Sequence, residues 1–404
     1  MDVFEGKSWI SGQGLVHTCI GFDGGKITAV KKILKGDNHT KFDGIILPSA
    51  FDMHVHFRDP GYPHKEDWKS GSESAAAGGV TAVVDMPNTN PFTSDLETFN
   101  AKASSASTKS VVDFGIGVNV DKNLTEQPWF DTIPAAFWKL YPYGINSEEY
   151  FSYAKEVLDK TKKPLVIHCE HPDHMHDDPL TKLSDHTQNR LIAEPECLAS
   201  LPSSPYLHVA HLSTLEGLNR MPKLATSEVC PHHLLLNLEN CHSLDCKVDP
   251  PLRTKTDNSG LYDAFREGKI SILSSDHAPH TIEEKRSDTP PSGLPGVETM
   301  IPLMLNEVSE GRLELGRLIT AMSEAPADRL GLDRGKISEG QPADLIIVDM
   351  KNSKPINLEK LHSKANWTPF QDWQAIFPSQ VYRRGELIAE DGEIKQEGGG
   401  QNLF

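Results

Sequence analysis

ILPSAFDMHVHF, residues 46–57, is a largely apolar run interrupted by Ser49 and Asp52, and it closes on two histidines, His54 and His56, either side of Val55. A run this short, dominated by large apolar side chains and bounded by Pro48, predicts a strand buried on both faces. Seven more of the same kind follow: VTAVVDMP (80–87), VVDFGIGVNV (111–120), AAFWKLY (135–141), PLVIHCE (164–170), YLHVAHL (206–212), TSEVCPH (226–232) and ISILSSDH (270–277). Stretches of helical composition such as SGSESAAAGG, SEEYFSYAKEVLDKT, NRLIAEPECLASL and GLYDAFREG fill several gaps. Eight buried parallel strands alternating with helices predict a (β/α)8 barrel of the TIM type. A doubly wound open sheet is the alternative, but it gives no reason for polar groups at so many separate strand ends.

Outside this region the pattern changes. GLVHTCIGFD, GGKITAVKKI and FDGIILPS near the start, and KISEGQPADLIIVDM and PSQVYRRGELIAE near the end, read as strands joined by Gly, Asp and Pro turns. We therefore expect residues 1–46 and 336–404 to form a small β-sandwich domain beside a barrel of residues 47–335, with the QEGGGQ tail as low-complexity sequence.

The chain has 404 residues, 37% hydrophobic, and a formal net charge of -17. That balance opposes binding to nucleic acid and suits an enzyme that meets an anionic substrate with local positive charge. No apolar run is long enough to span a membrane. MDVFEGKSWISGQG lacks the pattern of a secretory leader, which places the chain in the cytoplasm. Six cysteines without C-x-x-C spacing read as reduced packing residues.

The predicted strands carry metal-competent residues at their C-terminal ends, where barrel enzymes build their sites. Alternate side chains of a strand share a face, so His54 and His56 can both reach the barrel mouth and one metal. His168 ends the fifth run, His211 the sixth and Asp276 the eighth. One such histidine would more often be a packing residue; the same level reached from several strands is a site. Imidazole and carboxylate donors without clustered thiolates suit catalytic zinc. Lys139 lies inside an apolar run, where an unpaired ammonium is costly. Carbamylation would turn it into a carboxylate-like group able to bridge two cations.

HVHFRDPG (His54–Gly61), MPNTNP (Met86–Pro91), SDHAPHTIEEK (Ser275–Lys285) and GLPGVET (Gly293–Thr299) together resemble the type I dihydroorotases of the amidohydrolase superfamily. The resemblance runs from about residue 45 to 385. It implies zinc-dependent, reversible cyclisation of N-carbamoyl-L-aspartate to L-dihydroorotate in de novo pyrimidine biosynthesis. It assigns His54, His56, Lys139 and Asp276 to one zinc, carboxylated Lys139 as the bridge, and His168 and His211 to a second. A bridging hydroxide would attack the ring amide and Asp276 would act as general base and acid. Arg58, Asn88 and His280 would hold the substrate carboxylate, with His56, Asp249, Ser292 and Gly293 as further contacts. Two positions depart from the pattern. Asp249 stands where relatives carry Asn or Arg, and Glu228 matches a ligand of an extra metal in some relatives, although Ala210 replaces the cysteine near it. The resemblance is compatible with a homodimer and with association with aspartate transcarbamoylase.

The histidines of HCEHPDHMHDDP, His171, His174 and His176, match no zinc spacing and read as a solvated loop. His232 and His233 read as residues that pack or orient the seventh strand end, and Cys230 as a small hydrophobe. Allantoinase- or hydantoinase-like amidases would share the metal ligands; Arg58 and Asn88, which anticipate a substrate carboxylate, separate them from a dihydroorotase. A scaffold homologue without activity would be expected to lose a ligand, and none is missing.

Overall fold

The computed structural model describes residues 1–404. Eight parallel strands follow the eight apolar runs: Ala50–Val55, Val80–Asp85, Asp113–Asn119, Phe137–Leu140, Leu165–Ile167, Leu207–Val209, Thr226–Val229 and Ile272–Leu273. They pair in sequence order, and a parallel bridge between Val55 and His277 brings the eighth strand back to the first. His56 N donates to His277 O at 2.8 Å across that seam. Every residue of the first two strands is buried, which is why their sequences show no polar alternation.

Flanking helices begin where the local chemistry supplies a cap. Asp67 opens Trp68–Ala77, Asp95 opens Leu96–Lys109 and Asn146 opens Ser147–Lys160, each as a capping box. The side chain accepts from an N–H that the first helical turn leaves unpaired. Phe51, Met53, Ala82, Val84, Phe137, Val166 and Ile272 form one apolar cluster inside the barrel, below the polar mouth.

The two ends of the chain share one eight-stranded mixed sheet. In spatial order its strands are Glu393–Ile394, Glu386–Glu390, Gln380–Arg383, Leu345–Val348, Asn38–Pro48, Asp2–Ile10, Gly14–Asp23 and Lys26–Lys31. Asp2–Ile10 carries Gly and charged residues and was not among the expected strands; it is held between Gly14–Asp23 and Asn38–Pro48. Residues 351–377 leave this sheet for the barrel, where Trp367 Nε1 donates to His280 O at 2.8 Å. The Gly-rich tail also returns to the barrel: Phe114 N donates to Gln401 O and Leu403 N to Phe114 O, both at 2.9 Å.

One expectation needs correcting. Cys241 and Cys246 form a disulfide, while Cys19, Cys169, Cys197 and Cys230 are buried thiols. The turn ending at Leu244–Cys246 brings the two Cα atoms to 6.6 Å, within disulfide reach. Spacing alone did not reveal that turn.

Candidate active site

Strand alternation alone would not put His54 in the mouth. Phe51 and Met53 occupy the interior cluster, so strict alternation sends His54 outward. The pairing with the second strand shifts between Asp52 and Val55, and this irregularity returns His54 and His56 to the mouth. Arg58, His211 and Asp276 have φ of 61°, 37° and 47°. Such left-handed backbone costs a non-glycine residue on the order of 1–2 kcal/mol, and strain of this kind concentrates at functional sites.

The two imidazoles converge on one carboxylate oxygen. His54 Nε2 and His56 Nε2 each stand 3.2 Å from Asp276 Oδ1. Their other nitrogens are engaged: His54 Nδ1 donates to Glu228 Oε1, and His56 Nδ1 donates to Asn88 Oδ1 at 2.6 Å. With the protons on Nδ1, both Nε2 atoms present lone pairs to a carboxylate. Burial pushes the His56 pKa down to about 3, so this ring is neutral. Lone pairs facing a carboxylate repel unless a cation lies between them, and a carboxylate or amide oxygen behind each ring is the support that metal-binding histidines use.

Lys139 is 0% exposed and its Nζ has no hydrogen-bond partner. Burial pushes its pKa down to about 8, which favours the neutral amine that carbamylation requires. His211 is buried with Nδ1 unpartnered, and its ring lies 4.5 Å from that of His168, centroid to centroid. His54, His211 and Asp276 bring donor atoms within 4.8 Å of one another. The donor set and its unpartnered buried nitrogens therefore fit a metal centre. Glu228 is fully buried and occupied as a support: Oε1 takes His54, while Oε2 accepts from Ser274 Oγ at 2.8 Å and lies 3.4 Å from His208 Nε2.

A cavity of about 350 Å³ opens over this cluster. Arg58, Asn88, Asp249, His280, Ser292 and Gly293, expected as substrate contacts from separate parts of the sequence, all line it. Arg58 Nε donates to Pro279 O at 3.2 Å, which fixes the plane of the guanidinium. With His280 Nδ1 accepting from Lys65 at 3.2 Å, Nε2–H donates to Ser292 O at 3.1 Å, and Arg58 Nη2 lies 3.1 Å from the same nitrogen. Burial and the Arg58 charge keep His280 neutral, far below the ordinary histidine value. These groups form the locally positive corner of an acidic chain.

Asp249 does not confront the pocket as a bare anion. His186 Nε2 lies 2.7 Å from Oδ1, and Tyr143 Oη donates to Oδ2 at 3.2 Å. Arg190 is 3.7 Å from Oδ2 and also pairs with Glu170 at 2.8 Å. Burial opposes ionisation of Asp249, but His186 and Arg190 outweigh it and hold the carboxylate far below its usual range. His186 and Arg190 escaped the sequence reading because no motif or regular spacing joins them to Asp249. Glu170, which accepts from His168 Nε2 at 2.9 Å, did have a signal, since it lies two residues beyond a strand-end histidine. His171 and His174 sit on a short 3-10 turn outside the cavity. His233 Nε2 donates to Pro250 O at 3.1 Å.

Residues 45–388 match the amidohydrolase family model. Among similar proteins, the dihydroorotase of Methanosarcina acetivorans is 37% identical over 418 residues, covering 93% of this chain and 89% of that protein. That of Halobacterium salinarum is 35% identical, covering 95% of this chain and 96% of that protein. Among solved structures, the L-hydantoinase of Arthrobacter aurescens superposes with a TM-score of 0.90 at 23% identity, covering 100% of this chain and 99% of that one. The dihydropyrimidinase of Brevibacillus agri gives 0.88 at 20% identity over the same shares; likeness at this identity speaks for the barrel and its accompanying sheet. By the family match and the extent of its likeness to dihydroorotases, the chain belongs to the amidohydrolase family, within its dihydroorotase group, and is a cyclic amide hydrolase.

Proposed function

We propose that this chain is a dihydroorotase that interconverts N-carbamoyl-L-aspartate and L-dihydroorotate in pyrimidine biosynthesis. The observation that carries the reading is one cavity in which the His54–His56–Asp276 cluster faces the Arg58–Asn88–His280 corner. Cyclic amidases in general need the first; a substrate with a carboxylate needs the second as well.

Two zinc ions fit this reading, one held by His54, His56, carboxylated Lys139 and Asp276, the other by His168, His211 and the same lysine. Zinc there supplies Lewis acidity toward the ring amide carbonyl and lowers the pKa of the attacking water. Glu228, with both oxygens already engaged, serves this reading as the support of His54 rather than as a ligand of a third zinc.

Arg58 offers a fork to the substrate carboxylate. Asn88 keeps its amide N–H2 for the same group, because its oxygen is committed to His56. Neutral His280 would add a contact by turning its Nε2–H from Ser292 O toward the carboxylate, without requiring a second buried charge. In ring opening, the Asp276 carboxylate accepts the proton of the nucleophile and passes it to the departing amide nitrogen. In ring closure, Asp276 takes the proton of the attacking ureido nitrogen and gives it to the leaving hydroxide, which departs as water. Asp249 accepts from a ring N–H, its charge offset by His186 and Arg190, with Ser292 and Gly293 bordering the ring.

The test is absorbance-monitored ring opening of L-dihydroorotate by the zinc-loaded protein, beside allantoin and hydantoin, repeated with Asp276→Ala. Selective turnover of dihydroorotate that is lost in the variant is the expected result. Turnover of only another cyclic amide would overturn the substrate assignment, and no turnover at all would overturn the proposed activity.

A further inference from the structure

Lys285 ends the short helix Ile282–Lys285, is 1% exposed, and forms no ion pair with a carboxylate. A buried ammonium without an anion is costly, so its partners must account for its place. They are three backbone carbonyls: Lys247 O and Pro291 O at 2.8 Å, and Gly293 O at 3.1 Å. Three N–H donors of a lysine ammonium meet three acceptors. Burial and the neighbouring Lys247 push its pKa down to about 7, while the converging carbonyl dipoles favour the charged form.

Those carbonyls belong to two separate loops, and both loops line the substrate cavity: Lys247–Asp249 on one side, Pro291–Gly293 on the other. Gly293 N also donates to Lys247 O at 3.0 Å, and Lys247 Nζ to Pro290 O at 2.8 Å, so the loops meet around Lys285. Between Pro291 and Gly293, Ser292 O receives the bond from His280. Trp367, whose ring lies 5.7 Å from Lys285 Nζ, holds His280 O from behind.

We propose that Lys285 is a positioning residue: its ammonium fastens the loop bearing Asp249 to the loop bearing Ser292 and Gly293, and so sets the width of the substrate pocket without touching substrate. Taking dihydroorotate as the substrate rests on the proposed function; the fastening itself does not.

Arg317 supplies the control. It also caps carbonyls, donating to Phe265 O at 2.6 Å and to Ser271 O at 3.3 Å, but it does so ahead of the eighth barrel strand, away from the cavity. Holoenzyme carrying Lys285→Met or Arg317→Met is compared with wild type for kcat, KM, bound metal, Tm and backbone hydrogen exchange. Lys285→Met is expected to lower kcat/KM by roughly a hundredfold, a loss typical of small misplacements, mainly through KM and with bound metal retained. Exchange in peptides spanning 244–250 and 287–296 should rise. Arg317→Met should lower Tm and leave KM and those peptides unchanged. If Lys285→Met does not fold, Lys285→Arg tests the same point, because a planar fork cannot present three donors from one nitrogen; it should raise KM and loop exchange too. A Lys285 variant that lowers only Tm, with KM and loop exchange as in wild type, would overturn the proposal. Wild-type turnover tests the substrate separately. If the enzyme prefers another cyclic amide, KM is read on that amide, and hydrogen exchange decides the fastening even without turnover.

Discussion

Replacing Arg58 with methionine removes the guanidinium while keeping an unbranched side chain at the same left-handed backbone position. Arg58 Nε is committed to Pro279 O and Nη2 lies 3.1 Å from His280 Nε2, so the remaining N–H groups of the two terminal nitrogens are the fork for a carboxylate. Each charge-assisted hydrogen bond to such a group contributes about 1.5–3 kcal/mol, so losing both removes about 3–6 kcal/mol. At about 1.4 kcal/mol per factor of ten, kcat/KM for dihydroorotate should fall by roughly a hundredfold to ten-thousandfold. Dihydrouracil, the same ring without the carboxylate, has nothing for the fork to grip, so its kcat/KM should change by less than about tenfold on the same scale. Bound metal should be unchanged, since neither Arg58 nor Pro279 contacts the His54–His56–Asp276 cluster through Nε. The assay is ring opening followed by absorbance on both substrates, with metal content measured on the same preparations. Equal losses on the two substrates, or an undiminished rate on dihydroorotate, would refute the role of Arg58 in carboxylate recognition.

Glu228→Gln weakens the acceptor behind His54 Nδ1 and should lower metal affinity roughly 10–100-fold, the usual effect of losing such a support; competition with a chelator measures it, and unchanged affinity would refute the supporting role. At the other end of the barrel, buried Asp113 receives Arg384, Gln401 N at 3.1 Å and Arg334 at 3.4 Å. Asp113→Ala should destabilise by about 3–5 kcal/mol, as when one partner of a buried pair is removed, shifting the urea midpoint while KM stays as in wild type. The hydrogen bond to Glu298 raises the His362 pKa above its ordinary 6.5, outweighing burial. The folded state therefore binds this proton more tightly than the unfolded state, and the resulting stability is full below 6.5 and lost as pH rises through the raised folded value. The Tm difference between wild type and His362→Gln should accordingly narrow as pH rises through that window; a constant difference would refute the linkage.

The sequence by itself determined the barrel and the level of its site. Parallel strands covered on both faces must be apolar along their whole length, so all eight appear as short runs, and His54, His56, His168, His211 and Asp276 stand out as polar punctuation at their ends. Arg58 and Asn88 were legible only through HVHFRDPG and MPNTNP, the motifs that carry the resemblance to dihydroorotases. Tertiary structure decided the rest. The pairing shift between Asp52 and Val55 that turns His54 inward is a relation between two strands. Asp249 looked like an unfavourable anion until His186 and Arg190 were seen beside it, and Lys285 finds its reason in carbonyls from two loops. The strand Asp2–Ile10 is held by partners on both sides rather than by its own apolar pattern, and the Gly-rich tail pairs with Phe114. Burial preference and strand periodicity are properties of neighbouring residues and can be read along a chain. Charge compensation and hydrogen-bond satisfaction belong to groups that meet only after folding, and backbone carbonyls, the partners of Lys285, carry no signature in the sequence at all.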